Sequence, residues 1–213
     1  MKFQRLTDRD GEILVKMARL IVTEHLTNIT KNLDQNDAYN RAERYRIFEE
    51  KFGFNAGVFV TINDKSGLRG CIGFPLAVKK LSDALTDAAI SASTKDPRFP
   101  SVAQNELNDL VFEVTVLTAP EEISTSSPDE IIQEIKIGRD GLIIEKDSQS
   151  GLLLPQVPVG YNWNVVDFLS HTCHKAGLPN DSWTDTDVKI SKFQGVIFRE
   201  ISPNGEIIRE KFQ

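Results

Sequence analysis

The chain has 213 residues, of which 40% are hydrophobic and 26% charged. That is the balance of an ordinary soluble globule, large enough for one domain or two small ones. The net charge of -6 argues against the broad basic field that nucleic-acid binding uses, and no apolar run approaches the ~20 residues of a membrane span.

The N-terminus, "MKFQRLTDRDGE", has no apolar stretch of the signal-peptide kind. A cytoplasmic protein is expected, with Cys71 and Cys173 as reduced thiols. Thr7 is a good N-cap, and acids crowd the first turn after it. Leu14, Met17, Ala18, Ile21 and Val22 recur at helical spacing, so a helix is predicted to about His25. The polar run "TNITKNLDQND" breaks it. A second helix over "AYNRAERYRIFEEKF" is expected to close at Gly53.

"GVFVTIND", "DKSG" and "LRGCIGF" read as strand, turn and returning strand. From Leu81 to about Thr94 a helix is predicted, with Leu81, Leu85, Ala88 and Ala92 on one stripe. Its alanines let it lie close to whatever it covers, and Asp96-Pro97 stops it. "LVFEVTVLT" is a strand. "PEEISTSSPDE" is a polar connector and the best candidate for a subdomain joint, with subdomains at about 1–125 and 126–213. It is expected to end in a capping box of Ser127, Pro128 and Glu130, opening a short helix to Ile137. A hairpin follows around "KDSQSG". Then comes a helix capped by Asn164 and ended by Gly177, and two last strands joined by "SPNG". Hairpin turns recur and strict strand–helix alternation does not. The expected class is α+β with mainly antiparallel sheet and packed helices.

Three features carry candidate chemistry. "HTCH" looks like a metal motif, but on a wheel of about 100° per residue the histidines diverge from Cys173. Cys173 belongs with Val166, Leu169 and Ala176 on an apolar face; Asp167, His171 and His174 share the other. One helix cannot aim both histidines and the thiol at one ion; Asp167, His171 and His174 could still form a zinc face with a ligand from elsewhere, but a solvated polar face needs no special arrangement, and no metal is expected.

The second feature is Gly67-x-x-Gly70-x-x-Gly73 with Arg69 and Cys71 inside it. It is neither a P-loop nor a dinucleotide fingerprint. Glycines in a strand mark a bulge or a close approach by a backbone or ligand. Cys71 is either a nucleophile whose pKa Arg69 or another cation lowers, or a small, unreactive residue. No histidine lies near in sequence to act as its base. The third feature is Asp96-Pro97-Arg98-Phe99-Pro100, a stiff loop in which Arg98 is an anion anchor or a structural clamp. Arg69 and Arg98 could share one anion if the helix between them returns the chain. The opposing reading is a structural ion pair with Asp96 or Glu113.

Taken together, "LRGCIGFP", "DPRFPSV", "FEVTVLTAPEEI", "IKIGRDGLIIE", "GLLLPQVP" and "FLSHTCHKAGLP" occur in the order of the AMMECR family, which this chain resembles from about Leu14 to about Arg199. The LRGCIG signature is matched without change from Leu68 to Gly73. The resemblance implies an α+β fold of two unequal subdomains around a groove near the signature. It implies site positions at Arg69, Gly70, Cys71, Gly73, Asp96, Arg98 and Phe99, with Pro155 and Gln156 as weaker candidates. It also implies a link to a Memo-type protein and a radical-SAM protein, and it carries no catalytic mechanism and no cofactor.

Two functions follow as expectations. The first is a binding or adaptor module whose groove around Arg69 to Gly73 seats a partner or a small anionic ligand. The alternative is an enzyme on a small anionic substrate, with Cys71 as thiolate and Arg69 and Arg98 on the anion. Both expect Arg69 to face solvent or ligand, since burying an unpaired arginine is costly; Arg69→Ala should then change stability by less than about 1 kcal/mol.

Overall fold

The computed structural model describes residues 6–27, 35–125 and 127–210. The chain is α+β and forms two compact units. Of the described residues, the first holds 6–27, 35–117 and 196–210; the second holds 118–125 and 127–195.

The first unit opens with α1 (Asp8–Thr27). The Thr7 Oγ1 accepts the Asp10 N–H at 3.2 Å, and the Asp10 carboxylate accepts from the Thr7 N–H at 2.8 Å, so the predicted cap is reciprocal. All five stripe residues, from Leu14 to Val22, are buried. The break expected in "TNITKNLDQND" lies largely outside the described residues. Helix α2 (Gln35–Lys51) buries only Phe48 and is tied to α1 by Glu24, which grips Arg41 at 2.9 Å and accepts from the Tyr45 hydroxyl at 2.8 Å. Gly53 follows without a left-handed φ, so it is not the cap expected there.

Strands β1 (Gly57–Asp64) and β2 (Gly67–Phe74) form the predicted hairpin, and β3 (Val111–Leu117) lies on the other side of β1, all antiparallel. Alternation sends Val58, Val60, Ile62, Phe112, Val114 and Val116 into the core. Helix α3 (Leu81–Thr94) covers that face with Leu81, Leu85, Ala88 and Ala92, and α1 packs beside it. The 3-10 turn at Gln104–Asp109 was not predicted. The last residues of β7 (Lys189–Glu200), paired with β8 (Ile207–Glu210), complete this sheet in the order β2-β1-β3-β7-β8. Arg19 closes it from α1, forked on buried Glu200, which also accepts the Phe112 N–H at 3.0 Å.

In the second unit, β5 (Asp140–Lys146) pairs with β6 (Gln149–Leu153) and with the first part of β7, which also pairs with the short β4 (Glu121–Glu122). Helix α4 (Pro128–Glu134) ends three residues before Ile137. Ser127 sits at its N-cap but makes no capping hydrogen bond; Glu130 turns instead to the Thr125 hydroxyl. A short α5 (Gln156–Gly160), not foreseen, precedes α6 (Val165–Ala176). Helix α6 is capped as expected, by Asn164 on the Asp167 N–H at 2.9 Å and by Gly177 at φ 79°.

Cys173 and Leu169 are fully buried among Ile144, Phe168 and Trp183. Val166, expected on the same face, is 42% exposed in the first turn of the helix, while its neighbour Val165 packs against this core instead. Burial pushes the Cys173 thiol up to about 11. Cys173→Ser should therefore cost about 1–2 kcal/mol, since a hydroxyl would be buried without an assured partner. Urea denaturation checks this, and fast alkylation of native Cys173 would contradict it.

Candidate functional site

The three glycines of the Gly67-x-x-Gly70-x-x-Gly73 stretch are explained by backbone, each differently. Gly67 has φ 117°, a left-handed turn that β-carbons resist. A Cβ on Gly70 would lie 2.1 Å from the Ala92 carbonyl oxygen of α3, and one on Gly73 would lie 2.3 Å from the Val58 oxygen of β1. The close approach that the alanine stripe allowed is real, and Gly70 is where it happens.

Arg69 corrects the expectation placed on it. Its Nε and one terminal nitrogen grip the Glu106 carboxylate at 2.8 and 3.1 Å. Its other donors reach the Pro100 carbonyl at 2.7 Å and the Ser101 carbonyl at 3.2 Å. The side chain is only 11% exposed. Arg69 is a clamp between β2 and the loop before the 3-10 turn, and it does not face a ligand. Its partner is neither Asp96 nor Glu113. Glu106 in turn is held below the usual carboxylate range, chiefly by this guanidinium.

Asp96 is almost wholly buried and accepts the Cys71 N–H at 2.8 Å. Its two oxygens also grip Arg98 Nε and a terminal nitrogen at 2.9 and 2.7 Å. That fork, opposed by burial, holds the Asp96 carboxyl far below the ordinary range. The same Arg98 nitrogen donates to the Cys71 carbonyl at 3.3 Å. Strand β2 is the edge of its sheet, so Asp96 and Arg98 satisfy the outward N–H and C=O of Cys71 as a partner strand would. Unlike Arg69, the Arg98 side chain is 53% exposed, and it lies 5.4 Å from the Phe99 ring.

The Cys71 side chain points away from the core, level with Thr61 on β1 and Glu113 on β3. Thr61 Oγ1 donates to Cys71 Sγ at 3.3 Å. Burial raises the Cys71 thiol above its ordinary value, with Thr61 and Arg98 opposing it. Burial likewise raises the Glu113 carboxyl, helped by Glu210 and opposed by Arg199 and Thr61. The row is therefore a thiol, a hydroxyl and a carboxyl inclined to keep its proton. Sequence reading gave Thr61 no role and treated Glu113 only as an ion-pair partner. The signal that finds both is the alternation of β1 and β3 combined with their register.

Pro155 is buried just before α5 and Gln156 is exposed at its first position; both belong to the second unit. His171 stacks on Trp163, ring centroids 3.8 Å apart, and His174 is exposed, on the side of α6 away from Cys173. No group of three or more His, Cys, Asp or Glu residues among the described residues is arranged to hold a metal ion.

Residues 15–198 match the AMMECR1 family across both motifs of this edge. The chain belongs to the AMMECR1 family. It is 44% identical over 209 residues to protein MJ0810 of Methanocaldococcus jannaschii, covering 97% of this chain and 98% of that one. It is 46% identical over 200 residues to a protein of Methanothermobacter thermautotrophicus, covering 94% and 99%. The crystal structure of the Pyrococcus horikoshii protein PH0010 superposes with a TM-score of 0.78 at 43% identity, covering 96% and 98%. None of these names states an activity. In this AMMECR1 chain the LRGCIG and DPRF motifs are one hydrogen-bonded unit: Asp96 and Arg98 close on Cys71, and Arg69 closes on the loop that follows Phe99. No helix among the described residues is long and apolar enough to cross a membrane.

Proposed function

We propose that this chain is a non-catalytic binding module that seats a carboxylate or phosphate group against Arg98, beside Cys71. One observation carries the reading. Arg98 is fixed by a buried carboxylate, yet half of it faces solvent, and its remaining terminal nitrogen takes no hydrogen bond among the described residues. A guanidinium already oriented loses little entropy on gripping an anion. The anion belongs to a small cytoplasmic ligand or to an acidic side chain of a partner. A Memo-type or radical-SAM partner rests on the family resemblance alone. An enzyme using Cys71 as thiolate is the weaker reading, because burial keeps that thiol protonated.

Calorimetric titration of the full chain with inorganic phosphate and with succinate tests this. Arg98→Ala should weaken binding at least about tenfold, the worth of one charge-assisted hydrogen bond. Arg98→Lys, which leaves Asp96 a cationic neighbour, should retain part of it, and Cys71→Ser should leave it unchanged. Equal affinity in Arg98→Ala, or no binding in the parent chain, sinks the proposal. Rapid iodoacetamide labelling of Cys71 at neutral pH would favour the enzyme instead.

A further inference from the structure

We propose that Glu113 and Arg199 form a second anion-binding point on the outer face of the first unit's sheet, taking the far acidic group of the ligand whose near group Arg98 holds. The inference rests on the Arg98 reading and adds the ligand's class: a molecule acidic at both ends.

Six arginines of this chain show how Arg199 differs from a closed fork. Arg19, Arg41, Arg46, Arg69, Arg98 and Arg139 each grip a carboxylate through Nε and a terminal nitrogen. Arg199 does not. Its buried Nε has no hydrogen-bond partner and forms an ion pair with the Glu210 carboxylate at 3.6 Å, too long for a hydrogen bond. The side chain is 41% exposed, and its terminal nitrogens take no hydrogen bond among the described residues. A guanidinium held at a protein surface with its terminal donors open is suited to a carboxylate or phosphate.

The sheet places this arginine usefully. Cys71, Thr61 and Glu113 are consecutive partners across β2, β1 and β3, and β7 is the next strand. With strands about 4.8 Å apart, the row from Cys71 to Glu113 spans roughly 10 Å. Arg98 stands beyond the β2 edge, and Arg199 lies one strand past Glu113 on β7, so three strand spacings, roughly 14 Å, separate Cys71 from the strand of Arg199. Between them lie a thiol, a hydroxyl and a carboxyl, all able to hydrogen-bond the middle of a polar ligand.

Glu113 makes the far point pH-dependent. The groups around it are Thr61 on β1, Arg199 on β7 and Glu210 on β8, with Cys71 one strand further and Asp96 and Arg98 beyond it. Burial raises its carboxyl above the ordinary value, and in its protonated form it can donate to an anion. Once it ionises, it repels one. Binding at this point should weaken as pH rises.

Side-chain 1H–15N spectra of the full chain, titrated with sodium sulfate at pH 5.5 and 8, test the proposal; sulfate stays a dianion over that range. Arg199 signals should shift saturably, with lower affinity at pH 8 than at pH 5.5. Glu113→Gln should bind at both pH values and lose the dependence. Arg199→Ala should leave the Arg98 response in place. If Arg98 responds and Arg199 does not, the second point is wrong and the Arg98 reading stands. A response from Arg199 alone keeps the Glu113–Arg199 point and removes the Arg98 reading, and silence from both removes the two together.

Discussion

Arg69→Ala should lower the free energy of unfolding by about 2–3 kcal/mol, the cost of leaving a partly buried carboxylate and two carbonyls without their donor. This reverses the sequence-based expectation of a nearly neutral change. The reason is geometric: Glu106, Pro100 and Ser101 converge on one guanidinium that is 11% exposed. The effect should also depend on acid. Glu106 titrates below its ordinary value in the folded chain. Its contribution is therefore complete above the unfolded carboxylate pKa of about 4.3 and is lost as pH falls through the lower folded value. The gap between parent and Arg69→Ala should close on acidification. Urea denaturation at pH 7 and near pH 3.5 reads both effects. A change under about 0.5 kcal/mol at pH 7 would mean the clamp contributes little and the arginine is retained for something else.

Gly70→Ala should be worse, at about 3 kcal/mol or more, because the new methyl meets backbone on a buried helix. The Ala92 oxygen would lie 2.1 Å from it, and α3 cannot retreat without opening the core around Leu85, Ala88 and Ala89. A natural control is Gly160→Ala, where a Cβ meets nothing within 4 Å and the φ is not left-handed. That variant should unfold within about 0.5 kcal/mol of the parent. If Gly70→Ala behaves like Gly160→Ala, the β2–α3 contact is slack and the glycine spacing needs another account.

The Gly70 contact also shows how far local pattern reaches. The small residues of α3 and the glycine of β2 were each legible, and together they implied close packing. The hairpin, the stripe of α1 and the caps at Thr7, Asn164 and Gly177 were legible for the same reason: their causes lie within a few residues. The capping box at Ser127 was a local signal that failed. Glu130 had a second acceptor-seeking neighbour in the Thr125 hydroxyl, and took it.

Sequence by itself determined the family, the α+β class, most of the elements and the two motifs that make the β2 edge. Only the tertiary structure decided what each charged group in those motifs does. Arg69 and Arg98 look alike in the sequence, each beside a short apolar stretch. One is closed on Glu106, 37 residues away, and the other is left half-open on Asp96, two residues away. Thr61 and Glu113 entered the site through strand register, and Arg199 through the neighbouring strand β7. The return of the last part of β7 to the first unit is likewise invisible in a strand pattern. The physical cause is common to all of these. Helices, turns and caps are set by interactions between near neighbours in the chain. An ion pair or a row of side chains across a sheet is set by which distant segments the core brings level, and a single sequence carries no local mark of that.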